Sequence, residues 1–199
     1  MGVTNIHMKY ILISPSFGNG GKILEKHTYD GKNISPELTW SNPPDGIDSF
    51  VLLMNDYNPP TGLWNHWLLY NIPKNITVLK EGISTLPEPS KLGVNSWKAK
   101  DYQSPCPPEN TEYTYYFKLY ALDTMLDLHH RVNSTNIKKI INRHILDIAV
   151  LSDTYKRKSH AVNLTKQKMD LKDATTILHK KNVNQVIKRK AAKEIEELL

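Results

Sequence analysis

The chain has 199 residues, 39% hydrophobic and 23% charged, proportions that suit a soluble protein with one sizeable core. No run of about 18 apolar residues occurs, which excludes a membrane-spanning helix. A single cysteine, Cys106, excludes an internal disulfide and predicts a reducing, cytoplasmic setting. The net charge of +6 is uneven: from Ser159 onward nine Lys and Arg face five Asp and Glu, against 17 and 15 before it. Such a basic segment favours a solvated helix face over a patch for nucleic acid or anionic lipid, and no specific nucleic acid is expected as a partner.

In chain order, the opening residues lack a long apolar stretch and a cleavage site, and are expected to lead into a first strand instead of a signal peptide. Short apolar or alternating runs then predict strands at Tyr10–Ile13, Glu37–Trp40, Ser49–Met54, Trp67–Asn71, Lys91–Val94 and Tyr113–Leu122. Gly18-Asn19-Gly20-Gly21, Asn42-Pro43-Pro44-Asp45-Gly46, Pro59-Pro60, Pro87-Glu88-Pro89 and Pro105 to Pro108 punctuate them with turn chemistry. This predicts a mainly β, antiparallel Greek-key sandwich. The run YTYYFKLYAL, from Tyr113 to Leu122, has the aromatic density of a central strand covered on both faces.

After it the period changes. Ser134 to Asp147 predicts a helix capped by Ser134, with Ile137, Ile140, Ile141, His144, Ile145 and Ile148 at three- and four-residue steps. Ile145 to Tyr155 continues apolar, as a closing strand would. Beyond His160, Leu164, Leu171, Ala174, Ile177 and Leu178 make one apolar stripe, and Val183, Val186, Ile187, Ala191, Ile195 and Leu198 a second. The expected organisation is therefore a β domain over 1–158 and a basic, amphipathic helical extension over 159–199. Apolar stripes must be covered, either by the chain's own β domain or by another copy, and of the two a homo-oligomer is favoured.

The chemistry concentrates between Asn55 and Asn71, NDYNPPTGLWNHWLLYN. Two β-rich segments flank a Pro/Gly-rich loop, so Asp56 and His66 fall at one end of a sheet, where binding residues gather. A carboxylate beside an imidazole favours the protonated ring, and an imidazolium with a tyrosine hydroxyl can donate to an anion. No nucleophile–base pair, phosphate-cradling loop or metal-ligand array accompanies them. His129-His130 and His144 have the wrong spacing for a metal, so neither cofactor nor catalysis is expected. Cys106 has no activating neighbour in sequence and reads as an inert thiol.

These residues resemble the phosphatidylethanolamine-binding protein family, also called Raf kinase inhibitor-like, and specifically its bacterial-type branch. Asp56-Tyr57-Asn58-Pro59-Pro60 is similar to the family's Asp-Pro-Asp-Ala-Pro motif, and Trp64-Asn65-His66-Trp67 to its Trp-x-His-aromatic motif. Asp30-Gly31-Lys32-Asn33-Ile34-Ser35-Pro36-Glu37-Leu38-Thr39-Trp40 follows its Asp-Gly-x-Asn-x-Ser-Pro-x-Leu-x-Trp signature. Pro107-Pro108 and Tyr115 fall at its Pro-Pro-x-Gly…His-Arg-Tyr segment, and the resemblance spans roughly Ile11 to Arg157.

It implies a small pocket for phosphate-like anions, lined by Asp56, His66 and Tyr115 and walled by Trp64 and Pro60. Tyr113 stands at the family's downstream histidine and Thr114 at its arginine, and Asn58 replaces its second aspartate. Cis peptide bonds are also implied near the two motifs, where Pro59 and Pro60 would make them cheap. Trp40, Trp67 and Trp97 are expected in the core. The function implied is non-enzymatic binding of a small anionic or phosphorylated ligand, such as a phospholipid head group, with regulation of a kinase or other enzyme by direct contact. Two alternatives remain: an interaction protein acting through its tail, and a small acid/base enzyme using Asp56 and His66.

Overall fold

The computed structural model describes residues 8–58, 62–128 and 131–159, with Met169, Lys172 and Thr175 beyond them. Among these residues the elements run β1 (Ile11–Ile13), a 3-10 turn (Glu25–His27), β2 (Leu38–Ser41), β3 (Ser49–Asn58), β4 (Gly62–Pro73) and β5 (Val78–Leu79). They continue with β6 (Lys91–Leu92), β7 (Glu112–Leu122), α1 (Ser134–Ile141) and β8 (Ile145–Lys156). Strands β1-β2-β5 form one antiparallel sheet and β6-β4-β3-β7-β8 the other. The mainly β architecture expected from the short, punctuated runs is the one observed.

Strand β3 shows why the larger sheet sits at the centre. Phe50, Leu52 and Met54 point into the core shared with Leu38, Trp40 and Leu79 of the smaller sheet. Val51 and Leu53 point the other way, toward Ile137 and Ile141 of α1. Burial on both faces explains a continuous apolar run in place of alternation. Each such side chain adds roughly 1.5–3 kcal/mol of transfer free energy. Strand β7 lies between β3 and β8, as its aromatic density suggests, although Tyr116 on its outer face stays exposed.

The helix is shorter than its spacing predicts. It ends at Ile141, and Ile145 already begins β8. Isoleucine is β-branched and gains little from helix, so Ile145 and Ile148 join a ladder with Leu122 and Tyr120 instead. The N-cap is Asn133, whose side-chain oxygen accepts the Asn136 N–H at 2.9 Å, and Ser134 is the first helical residue. Strand β5 and the 3-10 turn were not legible, being two and three residues long.

The chain divides into two compact units, 1–157 and 158–199. The apolar stripes expected beyond His160, the Pro59-Pro60 corner and His129-His130 lie outside the described residues. Among the described residues no helix is long and apolar enough to cross a membrane.

Candidate functional site

Strands β4, β3 and β7 carry Trp64, Asp56 and Tyr115 side by side: Asp56 is paired with Trp64 on one flank and with Tyr115 on the other. His66 joins this row through an irregularity. Met54 pairs with Trp67 and Asn55 with Asn65, so His66 is the extra residue of a β-bulge. Trp67 keeps its place in the inter-sheet core while its neighbour turns to Asp56. Asn65 holds the bulge: its Nδ2 lies 3.1 Å from the Met54 carbonyl, the Trp67 carbonyl and the Asn55 side-chain oxygen.

His66 is 2% exposed and both its nitrogens are engaged. Nδ1 donates to the Gln103 carbonyl at 2.8 Å, which fixes the proton on that nitrogen. Nε2 lies 3.2 Å from Asp56 Oδ2, a contact that becomes a charge-assisted bond when the ring is protonated. The Tyr115 ring stands edge-on to the imidazole, centroids 5.2 Å apart. Its hydroxyl is buried without a hydrogen-bond partner among the described residues. Burial, with the Asp56 charge beside it, pushes that hydroxyl far above its ordinary pKa, so it is a donor and never a phenolate at physiological pH.

Two loops complete the site. Asn95 accepts the N–H groups of Trp97 and Ala99 at 3.0 Å and thereby shapes the first loop. Trp97 then stands edge-on to His66, centroids 5.0 Å apart, and to Trp64 at 5.3 Å. The expectation that Trp97 is core is thus corrected: it is 44% exposed, whereas Trp40 and Trp67 are buried. The residue lies on a loop, where apolar character carries no periodic signal.

The second loop presents Gln103. Its N–H donates back to the His66 carbonyl at 3.1 Å, and the next N–H, of Ser104, donates to Asn33 Oδ1 at 3.2 Å. Tyr102 donates to the His27 carbonyl at 2.7 Å. Asn33 of the Asp30-Gly31-Lys32-Asn33 signature thus clamps the loop whose Gln103 carbonyl orients His66. Gly31 has to be glycine, since a Cβ there would sit 2.0 Å from the Glu25 carbonyl oxygen. Asp30 accepts from the Tyr155 hydroxyl at 2.6 Å and from Arg157 Nε at 3.2 Å.

Of the expected lining residues, Asp56, His66, Tyr115 and Trp64 come together. Tyr113 lies on the same face two residues along β7, opposite Tyr155 and half-buried against the core. Pro60 lies outside the described residues, as do the cis bonds expected around it. A cis bond occurs at Glu88-Pro89. Cys106 is exposed, and desolvation by the surrounding chain pushes its thiol above the ordinary value. Asp153 was missed: it follows Tyr115 in the row on β8, fully buried, with Oδ2 unpartnered among the described residues and its carboxyl pushed up by burial. Among the described residues no group of three His, Cys, Asp or Glu side chains is placed to hold a metal ion.

The pattern of the phosphatidylethanolamine-binding protein family matches residues 13–156. A UPF0098 protein of Methanothermobacter thermautotrophicus is 37% identical over 71% of this chain and 95% of its own length. One from Aquifex aeolicus is 38% identical over 73% and 88%. Among solved structures, the phosphatidylethanolamine-binding protein homologue CT736 of Chlamydia trachomatis superposes with a TM-score of 0.69 at 32% identity. It covers 75% of this chain and 98% of its own. E. coli YbcL, a member of the mammalian PEBP family, gives a TM-score of 0.71 at 26% identity, over 76% and 100%. By family pattern, by sequence identity and by fold, the chain belongs to the phosphatidylethanolamine-binding protein family.

Proposed function

We propose that this ligand-binding family member is non-enzymatic and takes a small anion or phosphorylated head group at the end of the sheet formed by Asp56, His66 and Tyr115. The observation that carries this reading is the Tyr115 hydroxyl, a buried donor with no partner among the described residues beside a His–Asp pair. Buried polar groups are nearly always satisfied, so an orphan marks a place that a polar ligand completes. A non-enzymatic role is supported by the imidazole, whose two nitrogens are held by Gln103 and Asp56 and leave none to exchange a proton with a substrate. Regulation of a partner enzyme, a kinase among them, would follow from ligand occupancy at this end.

The test is a titration of wild type and Tyr115→Phe with inorganic phosphate and phosphoethanolamine, followed by NMR. Saturable shifts at Asp56, His66 and Tyr115 in wild type, lost in Tyr115→Phe, are expected. Identical titrations of the two proteins would defeat the proposal. Turnover of a phosphate ester slowed by Asp56→Asn would replace it with the acid/base enzyme.

A further inference from the structure

An anion in this pocket lacks a cation to meet it. Tyr113 and Thr114, beside Tyr115 on β7, carry no charge, and both nitrogens of His66 are taken within the protein. The Tyr115 hydroxyl is a single neutral donor, roughly half as strong toward an anion as a charged one.

We propose that Arg157, at the end of β8, is the cationic contact for the anion held at Tyr115. The inference rests on the anion-binding reading above and extends the site by one strand. Asp153 and Tyr155 alternate along β8, and Arg157, the residue after it, keeps the pairing through Thr111 and Asn110, so the three share a face. Asp153 lies opposite Tyr115 and Tyr155 opposite Tyr113, which puts Arg157 on the site's side of the sheet. Its guanidinium is held but underused. Nε donates to Asp30 Oδ1 at 3.2 Å, and the guanidinium carbon lies 4.9 Å from the centre of the Tyr29 ring. Among the described residues its ion-pair partner is Asp30, met through Nε, while the terminal nitrogens form no hydrogen bond. Asp30 also accepts from the Tyr155 hydroxyl at 2.6 Å, through its other carboxylate oxygen.

The loop from Gln103 to Pro107 connects the two donors. Its Gln103 carbonyl holds His66, which stands against Tyr115, and its Pro105 carbonyl accepts the N–H of Tyr29, whose ring lies under the Arg157 guanidinium. Cys106 is exposed on this loop between the buried Pro105 and Pro107. A phosphate-type group beside this loop would take the tyrosine hydroxyl on one side and the terminal N–H groups of the guanidinium on the other. Arginine suits this geometry because its planar N–H groups match two phosphate oxygens at once.

The experiment titrates wild type, Arg157→Gln, Asp30→Asn and Tyr115→Phe with inorganic phosphate at low salt, with thermal melts alongside. Arg157→Gln is expected to weaken binding about tenfold or more, the loss of one charge-assisted contact. Asp30→Asn keeps the arginine and frees it, so its affinity should match or exceed wild type even if its melting point falls. Wild-type affinity in Arg157→Gln would overturn the proposal. Equal losses in Arg157→Gln and Asp30→Asn would overturn it too, because arginine would then serve only to clamp Asp30. If wild type itself shows no saturation, or Tyr115→Phe binds unchanged, the anion-binding reading fails first.

Discussion

The Tyr115 hydroxyl loses its water on folding and meets no partner among the described residues, while its ring fills the inter-sheet core. Removing only the oxygen therefore leaves packing intact and relieves a desolvation cost of about 1–3 kcal/mol. Tyr115→Phe is expected to melt at or above the wild-type temperature while losing its ligand, a combination that separates a binding residue from a structural one. Asp153 presents the opposite case. Burial raises its folded pKa above the ordinary carboxylate value, so the folded state holds the proton more tightly than the unfolded chain. Its contribution is fully present below the unfolded pKa and is lost as pH rises through the raised folded one. Urea melts across that window should show stability falling with pH in wild type, and Asp153→Asn should flatten the slope. An unchanged slope in the variant would assign the pH dependence to other groups. Neither behaviour was legible from residue type, because a tyrosine or aspartate in an apolar strand looks the same whether or not its oxygen finds a partner.

At the scale of elements, the bulge in β4 decides whether there is a site. Strict alternation would send His66 and Trp67 to opposite faces, yet both are needed on the inner side. Asn65 compensates the disturbed ladder through its side-chain amide, and its backbone N–H and carbonyl pair with Ser96 at 2.9 Å. Asn65→Ala is therefore expected to cost about 1–3 kcal/mol in urea melts, and to shift the His66 ring signals as the bulge relaxes. The Trp-x-His-aromatic motif located these residues, but the bulge was not readable from it, since one extra residue leaves no mark on hydrophobic spacing. The boundary between α1 and β8 was misplaced for a related reason. Ile137, Ile140, Ile141 and Ile145 fit a helical period, and only the β-branched preference for the ladder against β7 ends the helix at Ile141.

Across the β unit, the site is assembled from segments far apart in the chain, and the strands and the Asp56–His66 pairing were legible because local spacing encodes them. The clamp was not. Asn33 reaches Ser104 across 71 positions, and that contact fixes the loop whose Gln103 carbonyl orients His66. Asn33 has φ of 53°, a left-handed conformation that asparagine tolerates better than alanine, so its role combines backbone shape with a hydrogen bond. Asn33→Ala should lower stability by roughly 1–3 kcal/mol through the strained backbone and the unpaired Ser104 N–H. A coupled site predicts more than lost stability: below the melting transition, the His66 Nδ1 proton, protected in wild type by Gln103, should exchange faster in the variant. Asn33→Gly, which restores the backbone freedom but not the side-chain oxygen, should recover part of the stability and none of the protection. If instead both variants keep the slow Nδ1 proton, the loop is held by Tyr102 on His27 and by Pro105 on Tyr29, and the signature's asparagine shapes only its own turn.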